Sequence, residues 1–322
     1  MRFWKALTLT AATGALLMTA PNAQAAYPEK PITMIVAFGA GGGTDLLIRG
    51  LAPFLEKQLG DGARIEVVNK PGAGGEIGFA AIADAAPDGY TIGAINSPNV
   101  NAIPIERQAR YSLDRLDPLY NLVDDPGAFA VNAEGPFKTL ADVVAYAKAN
   151  PNGVTVGTTG IGSDDHLAML VFQRQAGVTF THVPFQGSAA NEAALANKKI
   201  MLSSVNIGEA MQYKQKDPIA LLGVMAGKKV EQAPEIATFK EQGYNALMSS
   251  LRGIAAPKGL PPDVRAKLID ALDKAATHPG FQAKAKELFQ PTRLLPPDQY
   301  ATELAASTKE LRELWATAPW LK

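Results

Sequence analysis

The chain has 322 residues, 47% of them hydrophobic, and its 31 basic side chains are balanced by 31 acidic ones. A chain of this length can bury two cores of ordinary domain size, and the balanced charge argues against a nucleic-acid-binding protein, which would carry a basic excess. There is no cysteine, so stability has to come from those cores and not from disulfides.

Residues 1–25 have the pattern of a secretory signal peptide. Arg2 and Lys5 precede a long uncharged apolar run, and Ala23-Gln24-Ala25 has the small-x-small form of a cleavage site. A membrane-spanning helix is the weaker interpretation, because the run is shorter than the roughly 20 residues that a bilayer requires and a proline follows it. We therefore predict export to the periplasm through a cleaved signal peptide, and a soluble mature protein.

In the first part of the mature chain, apolar strands alternate with amphipathic helices. Periodicity and turn residues predict strands at 32–38, 65–68 and 91–96 and helices at 45–59 and 77–86. Strands that alternate with helices form a mostly parallel sheet with helices on both faces. The predicted fold class of this region is therefore α/β.

A second α/β series follows. Its predicted strands are at 129–132, 154–157, 181–184, 200–204 and 219–224, and its predicted helices are at 139–149, 164–175 and 189–196. A strand at 251–256 and two amphipathic helices at 262–277 and 297–315 complete the chain. Two such series favour two α/β lobes.

Four strand-to-helix turns are rich in glycine, serine and threonine. They are 39–45, 72–75, 158–163 and 185–188. Ligands of open α/β sheets bind outside the carboxyl ends of the strands, so these loops, two from each half of the chain, should face one cleft between the lobes. Helix N-termini and their free backbone N–H groups attract anions. The hydroxyls that can add donors are those of Thr44, Thr159, Ser163 and Ser188.

We therefore predict capture of a carboxylate by backbone amides and hydroxyls, with no arginine required. The alternative for any single loop is that its glycines only permit a tight turn. A dinucleotide site fits less well, because Gly39-x-Gly41 is followed by Thr44 where the fingerprint requires a third glycine.

Catalytic and metal chemistry find few candidates in the sequence. Ser163, Asp164, Asp165 and His166 are consecutive at the start of one predicted helix, and residues this close cannot form a catalytic triad by themselves. We interpret Ser163 or Asp164 as the helix cap, while His166 could equally face a ligand. Three well-separated histidines and no thiols predict no metal site, and we predict no cofactor.

Three ordered blocks of motifs carry a family resemblance. The first comprises Ala37-Phe38-x-x-Gly41-Gly42-x-Thr44-Asp45-x-x-x-Arg49, Asn69-Lys70-Pro71-Gly72-Ala73-Gly74-Gly75-x-Ile77-Gly78 and Pro87-Asp88-Gly89-Tyr90-Thr91. The second comprises Gly157-x-x-Gly160-x-Gly162-Ser163-x-x-His166-Leu167 and Val183-Pro184-Phe185-x-Gly187, and the third is Arg252-Gly253-x-x-Ala256-Pro257-x-Gly259-x-Pro261. On these motifs the chain resembles the substrate-binding proteins of tripartite tricarboxylate transporters, also called the Bug or TctC family, over nearly all of residues 27–322.

The resemblance implies a periplasmic-binding-protein fold of type II, a Venus flytrap of two α/β lobes joined by crossing strands. Lobe 1 would comprise residues 26–126 plus 249–322 and lobe 2 residues 127–248, with crossings near 127–131 and 249–254. It also implies a receptor, not an enzyme, that binds a small organic acid and passes it to separately encoded membrane permease subunits. We expect a monomer.

The loops and the resemblance together predict one set of ligand-binding residues. It comprises Phe38, Gly41, Gly42, Gly43, Thr44, Asp45, Gly74, Gly75, Thr159, Gly160, Ser163, His166, Gly187, Ser188 and Asn206. Two positions depart from the family pattern, since Met201 stands where an acid is frequent and Ala237 where proline is usual. Two other functions stay open: a sensory receptor for a membrane kinase, and a periplasmic hydrolase of organic-acid derivatives that would use Ser163 and His166.

Overall fold

The structure is a computed structural model that describes residues 27–317, 319 and 320. The predicted signal peptide, residues 1–25, lies outside the described residues. Within them, two β-sheets share one long strand.

The elements up to the shared strand follow the predicted alternation. They are β1 (Ile32–Val36), α1 (Gly43–Leu59), β2 (Ile65–Asn69), α2 (Glu76–Ala83), β3 (Thr91–Ser97), α3 (Asn99–Glu106) and the shared strand β4 (Leu116–Asn132). Two short 3₁₀ turns, Ala73–Gly75 and Leu113–Arg115, precede α2 and β4.

The second series and the C-terminal segment supply the remaining elements. They are α4 (Leu140–Ala149), β5 (Thr155–Thr158), α5 (Asp164–Ala176), β6 (Thr181–Pro184), α6 (Ser188–Ala196), β7 (Leu202–Asn206), α7 (Ile207–Lys214), β8 (Ile219–Val224), β9 (Ser249–Pro257), α8 (Pro262–Thr277), α9 (Pro279–Glu287), β10 (Thr292–Leu295) and α10 (Pro297–Thr317).

The first sheet has the order β2-β1-β3-β9-β4, and β10 also pairs with β4. The first three strands are parallel, whereas β9 is antiparallel to both of its neighbours. Successive residues of β1 point to opposite faces: Ile32 and Met34 enter one core with α1 and α8, and Ile35 enters another with α2 and α10. Helices therefore cover both faces of this sheet.

The second sheet places β4 between β8 and β7, followed by β5 and β6. Strands β5, β6 and β7 are parallel, and β4 is antiparallel to its two neighbours. The core of this sheet is aromatic, with the Phe129 ring centroid 5.1 Å from that of Phe172 and 5.1 Å from that of Phe239. Each sheet therefore has its own buried core.

Strand β4 passes from one sheet into the other. Its register with β9 ends at the pair Pro126 and Ser249, and from Gly127 onward it pairs with β7 and β8. The sheet change lies at the first of the two predicted crossings, and the start of β9 lies beside it. We therefore propose the same lobe bounds, 26–126 plus 249–322 for lobe 1 and 127–248 for lobe 2.

The two-lobed α/β architecture is confirmed, but the sheets are mixed and not mostly parallel throughout. The parallel strands are β1, β2 and β3 in the first sheet and β5, β6 and β7 in the second. Strands β4 and β9, which lie where the lobes join, pair with their neighbours in antiparallel fashion. The structure also adds α3, α7, α9, β10 and the first part of β4, for which no element was predicted. Pro104 lies inside α3 and Pro118 inside β4, and proline argues against a helix or strand interior. Register shifts beside Pro118 accommodate it within β4.

Candidate functional site

The glycine-rich loops of the two lobes lie directly against each other. The Gly39 N–H donates to the Gln186 carbonyl at 3.1 Å. A Cβ atom on Gly160, whose φ is +130°, would lie 2.9 Å from the Gly74 Cα. These glycines are required because a side chain on either loop would hold the lobes apart.

Between these loops lies a cavity of about 20 Å³, which is room for about one water molecule. Its walls come from both lobes. The lining residues are Phe38, Gly42, Gly43, Thr44, Asn96, Thr159, Asp164, Ser188, Asn206, Glu209, Ser250 and Arg252. The lobes are thus closed on each other around a small polar space.

A carboxylate already lies at the N-terminus of α1, where an anion was predicted. The Gly43 N–H donates to Glu209 Oε1 at 3.0 Å, and the Ser188 hydroxyl donates to the same oxygen at 3.0 Å. Arg252 Nη2 lies 3.3 Å from it. We call these three groups, the Gly43 N–H, the Ser188 hydroxyl and the Arg252 guanidinium, the anion seat. A helix N-terminus and a guanidinium both favour a negative charge.

Arg252 lines the same cavity, although the glycine-rich loops predicted a site that requires no arginine. Its side chain, on β9, is 2% exposed. It donates to Asn206 Oδ1 at 2.8 Å and to Gln290 Oε1 at 3.2 Å, and its Nη2 lies 3.2 Å from Asp125 Oδ2. A lone basic residue inside the apolar strand 251–256 was the available signal, and a pattern of glycine-rich loops does not include it.

Several buried carboxyl groups surround this guanidinium. Burial raises the pKa of Asp125 to about 7, although the charge of Arg252 acts in the opposite direction. Burial likewise raises the pKa of Asp164, although a hydrogen bond from Asn206 acts in the opposite direction. Burial also holds the pKa of Asp165 well above its usual range. Burial disfavours the charge of Arg252 too, but Glu209 and Asp125 outweigh it and raise its pKa. The guanidinium therefore stays charged and Asp125 titrates near neutral pH.

The structure brings together seven of the predicted site residues in the cavity wall. They are Phe38, Gly42, Gly43, Thr44, Thr159, Ser188 and Asn206. Eight lie outside the cavity wall: Gly41, Asp45, Gly74, Gly75, Gly160, Ser163, His166 and Gly187. Among these, Gly74, Gly160 and Gly187 lie where the loops of the two lobes touch. Ligand contact by all fifteen residues stays a prediction.

Asp45 shapes its own loop. Its carboxylate accepts hydrogen bonds from the Gly41 N–H at 2.9 Å, from Arg49 Nε at 3.0 Å and from Asn69 Nδ2 at 2.8 Å. Burial opposes the charge, but these bonds prevail and lower the pKa of Asp45. The carboxylate therefore uses its acceptor oxygens within its own loop and fixes the position of the loop before α1.

Ser163 is confirmed as the cap of α5, since its hydroxyl accepts the His166 N–H at 3.1 Å. The same hydroxyl donates to the Gly160 carbonyl at 2.8 Å. The His166 ring stacks on His182 with centroids 4.2 Å apart, and its Nδ1 accepts the Gly162 N–H at 3.2 Å. Burial, followed by the neighbouring His182, lowers the pKa of His166 to about 3. The side chains of Ser163 and His166 therefore do not form the serine–imidazole hydrogen bond that activates a nucleophile.

Five cavity-lining residues were not among the predicted ligand contacts: Asn96, Asp164, Glu209, Ser250 and Arg252. Glu209 lies on α7, for which no helix was predicted. Asn96 donates through Nδ2 to Thr44 Oγ1 at 3.0 Å, and its Oδ1 is buried without a protein partner. Asp164 directly follows the predicted loop 158–163. The other four lie on β3, α7 and β9, away from the glycine-rich loops, so sequence spacing could not place them at the cavity.

Residues 27–317, 319 and 320 include no cluster of three or more histidine, aspartate or glutamate side chains placed to hold a metal ion. No helix in the same residues is both long and apolar enough to span a bilayer.

Comparison with known proteins identifies the family. The model of the TctC family, described as the tripartite tricarboxylate transporter family receptor, matches residues 47–306. The chain belongs to this family. The receptor is 32% identical over 306 residues to a Cupriavidus necator protein from the gbd 5′ region. The alignment covers 94% of this chain and 92% of the C. necator protein. The resemblance drawn from the motifs is thereby confirmed.

Solved structures share the fold of the receptor. The periplasmic binding protein BugD superposes with a TM-score of 0.85 at 29% identity, covering 91% of this chain and 98% of BugD. Two Rhodopseudomonas palustris proteins at 24% identity share the fold. MatC with bound malate has a TM-score of 0.83 over 89% of this chain and 99% of MatC. A second protein, with adipate, has a TM-score of 0.85 over 91% of this chain and 98% of its own.

Proposed function

We propose that this receptor works outside the cytoplasm, binds a small carboxylate between its two lobes, and delivers it to a tripartite tricarboxylate-type membrane transporter. The observation that carries the proposal is the anion seat, where a carboxylate is held by Gly43, Ser188 and Arg252. That carboxylate belongs to Glu209, and its position beside these donors supports the choice of an anionic ligand.

The donors of the anion seat come from both lobes. Gly43 and Arg252 lie in lobe 1, and Ser188 is the first residue of α6 in lobe 2. A carboxylate can therefore be fully coordinated only when the lobes meet, which couples binding to closure. Micromolar affinity, about −8 kcal/mol, is sufficient for capture and still permits release to a membrane partner.

Small dicarboxylates are the first ligands to test. The family relationship and the malate and adipate of the two R. palustris structures support this choice. The closed cavity of about 20 Å³ cannot hold such an acid, so the lobes have to open for entry and re-form around it.

Binding without catalysis is the better account of the site. Ser163 caps α5 and donates to a carbonyl, and the His166 ring accepts a backbone N–H, so the two candidate residues of a hydrolase are occupied by structural roles. A sensory receptor would use the same anion seat with a different membrane partner. Uptake of a labelled acid by cells with and without the receptor distinguishes transport from sensing.

The test is a thermal-shift screen of the protein without residues 1–25 against malate, adipate and other carboxylic acids. An acid at 100 times its dissociation constant adds about 2.7 kcal/mol of stability. The matched control for each acid is its neutral diamide, which has the same length and no charge. The proposal fails if no acid stabilises the protein more than its diamide, and chromatography of the incubated acids would reveal any turnover.

A further inference from the structure

We propose that Glu209 is a built-in competitor of the ligand: its carboxylate holds the lobes closed by occupying the anion seat, and a ligand carboxylate has to replace it. The replacement step rests on the proposed carboxylate-binding function. The closing step does not, because it concerns contacts within the protein alone.

The contact made by Glu209 joins the two lobes. Glu209 lies on α7 in lobe 2, whereas the Gly43 N–H and Arg252 belong to lobe 1. The side chain is 6% exposed, so its bonds are shielded from water. Hydrogen bonds to an ionised, buried carboxylate are among the stronger ones in proteins.

Capping of α7 does not by itself explain this position. Glu209 is the third residue of α7, and its Oε2 accepts the Asn206 N–H at 3.4 Å as part of a capping box. A capping box requires only that bond and the reciprocal one from the cap. The other oxygen, Oε1, accepts the Gly43 N–H from across the cleft and the Ser188 hydroxyl from within lobe 2.

The anion seat has room for one carboxylate. A Cβ atom added to Gly43 would overlap both Arg252 Nη1 and Glu209 Oε1, and the adjoining cavity measures about 20 Å³. A second carboxylate would also face the charge of Glu209 in a buried site, where like charges repel strongly. Ligand and Glu209 are therefore alternative occupants of the same donors.

Such competition weakens the apparent affinity, because only the open molecules can bind. The apparent dissociation constant equals the intrinsic one divided by the fraction of open molecules. If the Glu209-closed form exceeds the open form by about 10 to 1, the apparent dissociation constant is about tenfold weaker than the intrinsic one. Removing the charge of Glu209 should therefore open the free protein and tighten the binding of acids.

The first experiment measures the separation of the lobes in the free protein. The chain has no cysteine, so Lys57→Cys in lobe 1 and Lys216→Cys in lobe 2, both at exposed positions, give two unique spin-label sites. Glu209→Gln and Glu209→Asp should lengthen or broaden the distance distribution, the first by removing the charge and the second by shortening its reach. Unchanged distances in both variants overturn the proposal.

The matched control is Glu231→Gln. Glu231 also reaches across the lobes, to Lys286 Nζ at 3.9 Å, but this pair is exposed and lies away from the cavity. An exposed pair contributes little, so the control should give the distances of the parent protein. A melting curve of each variant by circular dichroism establishes that it is folded before distances are compared.

The second experiment is calorimetric titration with adipate and with malate. Glu209→Gln should bind at least one acid about tenfold more tightly than the parent protein, because a larger fraction of the free molecules would be open and able to bind. Weaker binding at unchanged lobe distances would make Glu209 a direct ligand contact and overturn the proposal. If neither acid binds to either protein, the distance measurement alone decides the closing step, and carboxylate binding is the part that has failed.

Discussion

Replacing Arg252 by methionine should destabilise the protein strongly, because the guanidinium neutralises buried carboxylates. Its Nη2 lies 3.2 Å from Asp125 Oδ2 and 3.3 Å from Glu209 Oε1, and the side chain is 2% exposed. Removing one partner of a buried ion pair leaves an uncompensated charge and costs about 3–5 kcal/mol. That is a large part of the roughly 5–15 kcal/mol by which domains are stable.

The loss should depend on pH. Burial holds the pKa of Asp125 at about 7 even with Arg252 beside it, and without the guanidinium this pKa rises further. A carboxyl group whose pKa is higher in the folded state contributes stability that is present below its unfolded pKa and disappears as pH rises through the folded one. The deficit of Arg252→Met should therefore be smaller at pH 5 than at pH 8.

Urea denaturation followed by circular dichroism at the two pH values measures this effect. Arg252→Lys is the control, since lysine keeps the charge but not the planar fork that reaches two carboxylates and two amides; it should lose less than methionine does. A loss below about 1 kcal/mol for Arg252→Met, the range of an exposed pair, would refute the reasoning. So would a deficit that is larger at pH 5.

Three further predictions concern closure and titration. A Cβ atom on Gly42 would lie 2.9 Å from Ser188 Oγ across the cleft. Gly42→Val should therefore weaken the binding of the acid chosen by the screen at least tenfold, as measured by calorimetry. The control is Gly227→Val, where a Cβ meets nothing within 4 Å, and it should leave the affinity unchanged. Asp125 should make the protein less stable as pH rises from about 4 to 7, and Asp125→Asn should remove that part of the loss. Urea unfolding at several pH values measures it. An unchanged slope of the unfolding free energy against pH would contradict the raised pKa of Asp125. The ring signals of His166 should show no titration midpoint above pH 4 in NMR, because its pKa is about 3; a midpoint near 6 would contradict its burial.

The sequence predicted elements well where local signals are strong. Strands β6 and β8 and helix α8 have the predicted bounds, 181–184, 219–224 and 262–277. In each, apolar periodicity is flanked by turn residues or a proline at the helix start. The first half of β4 was not predicted, because Pro118 and Pro126 argue against a strand and the pairing with β9 and β10 that stabilises it joins residues distant along the chain.

The cavity was predictable in part. The loops that form it follow strands, and glycine marks them, so Gly42, Gly43 and Ser188 could be named in advance. Glu209 could not, because its contact with Gly43 joins residues 166 positions apart and depends on how the lobes close. A local sequence pattern carries no information about which charged side chain of lobe 2 will face a helix of lobe 1.

The glycine loops therefore have a mechanical role as well as a chemical one. Shifting a two-state protein from 1:99 to 99:1 in favour of the closed form takes about 5.5 kcal/mol, and a hydrogen bond to a charged group contributes about 1.5–3 kcal/mol. Two to four such bonds formed only on closure are enough. The Gly43 N–H and the Arg252 guanidinium of lobe 1 lie close enough to the Glu209 carboxylate of lobe 2 to supply two of them, provided that the backbones at Gly39, Gly74 and Gly160 can touch their opposite loops. A side chain at one of these contacts would keep the donors of one lobe away from the other, so binding energy and loop shape have to be considered as one property.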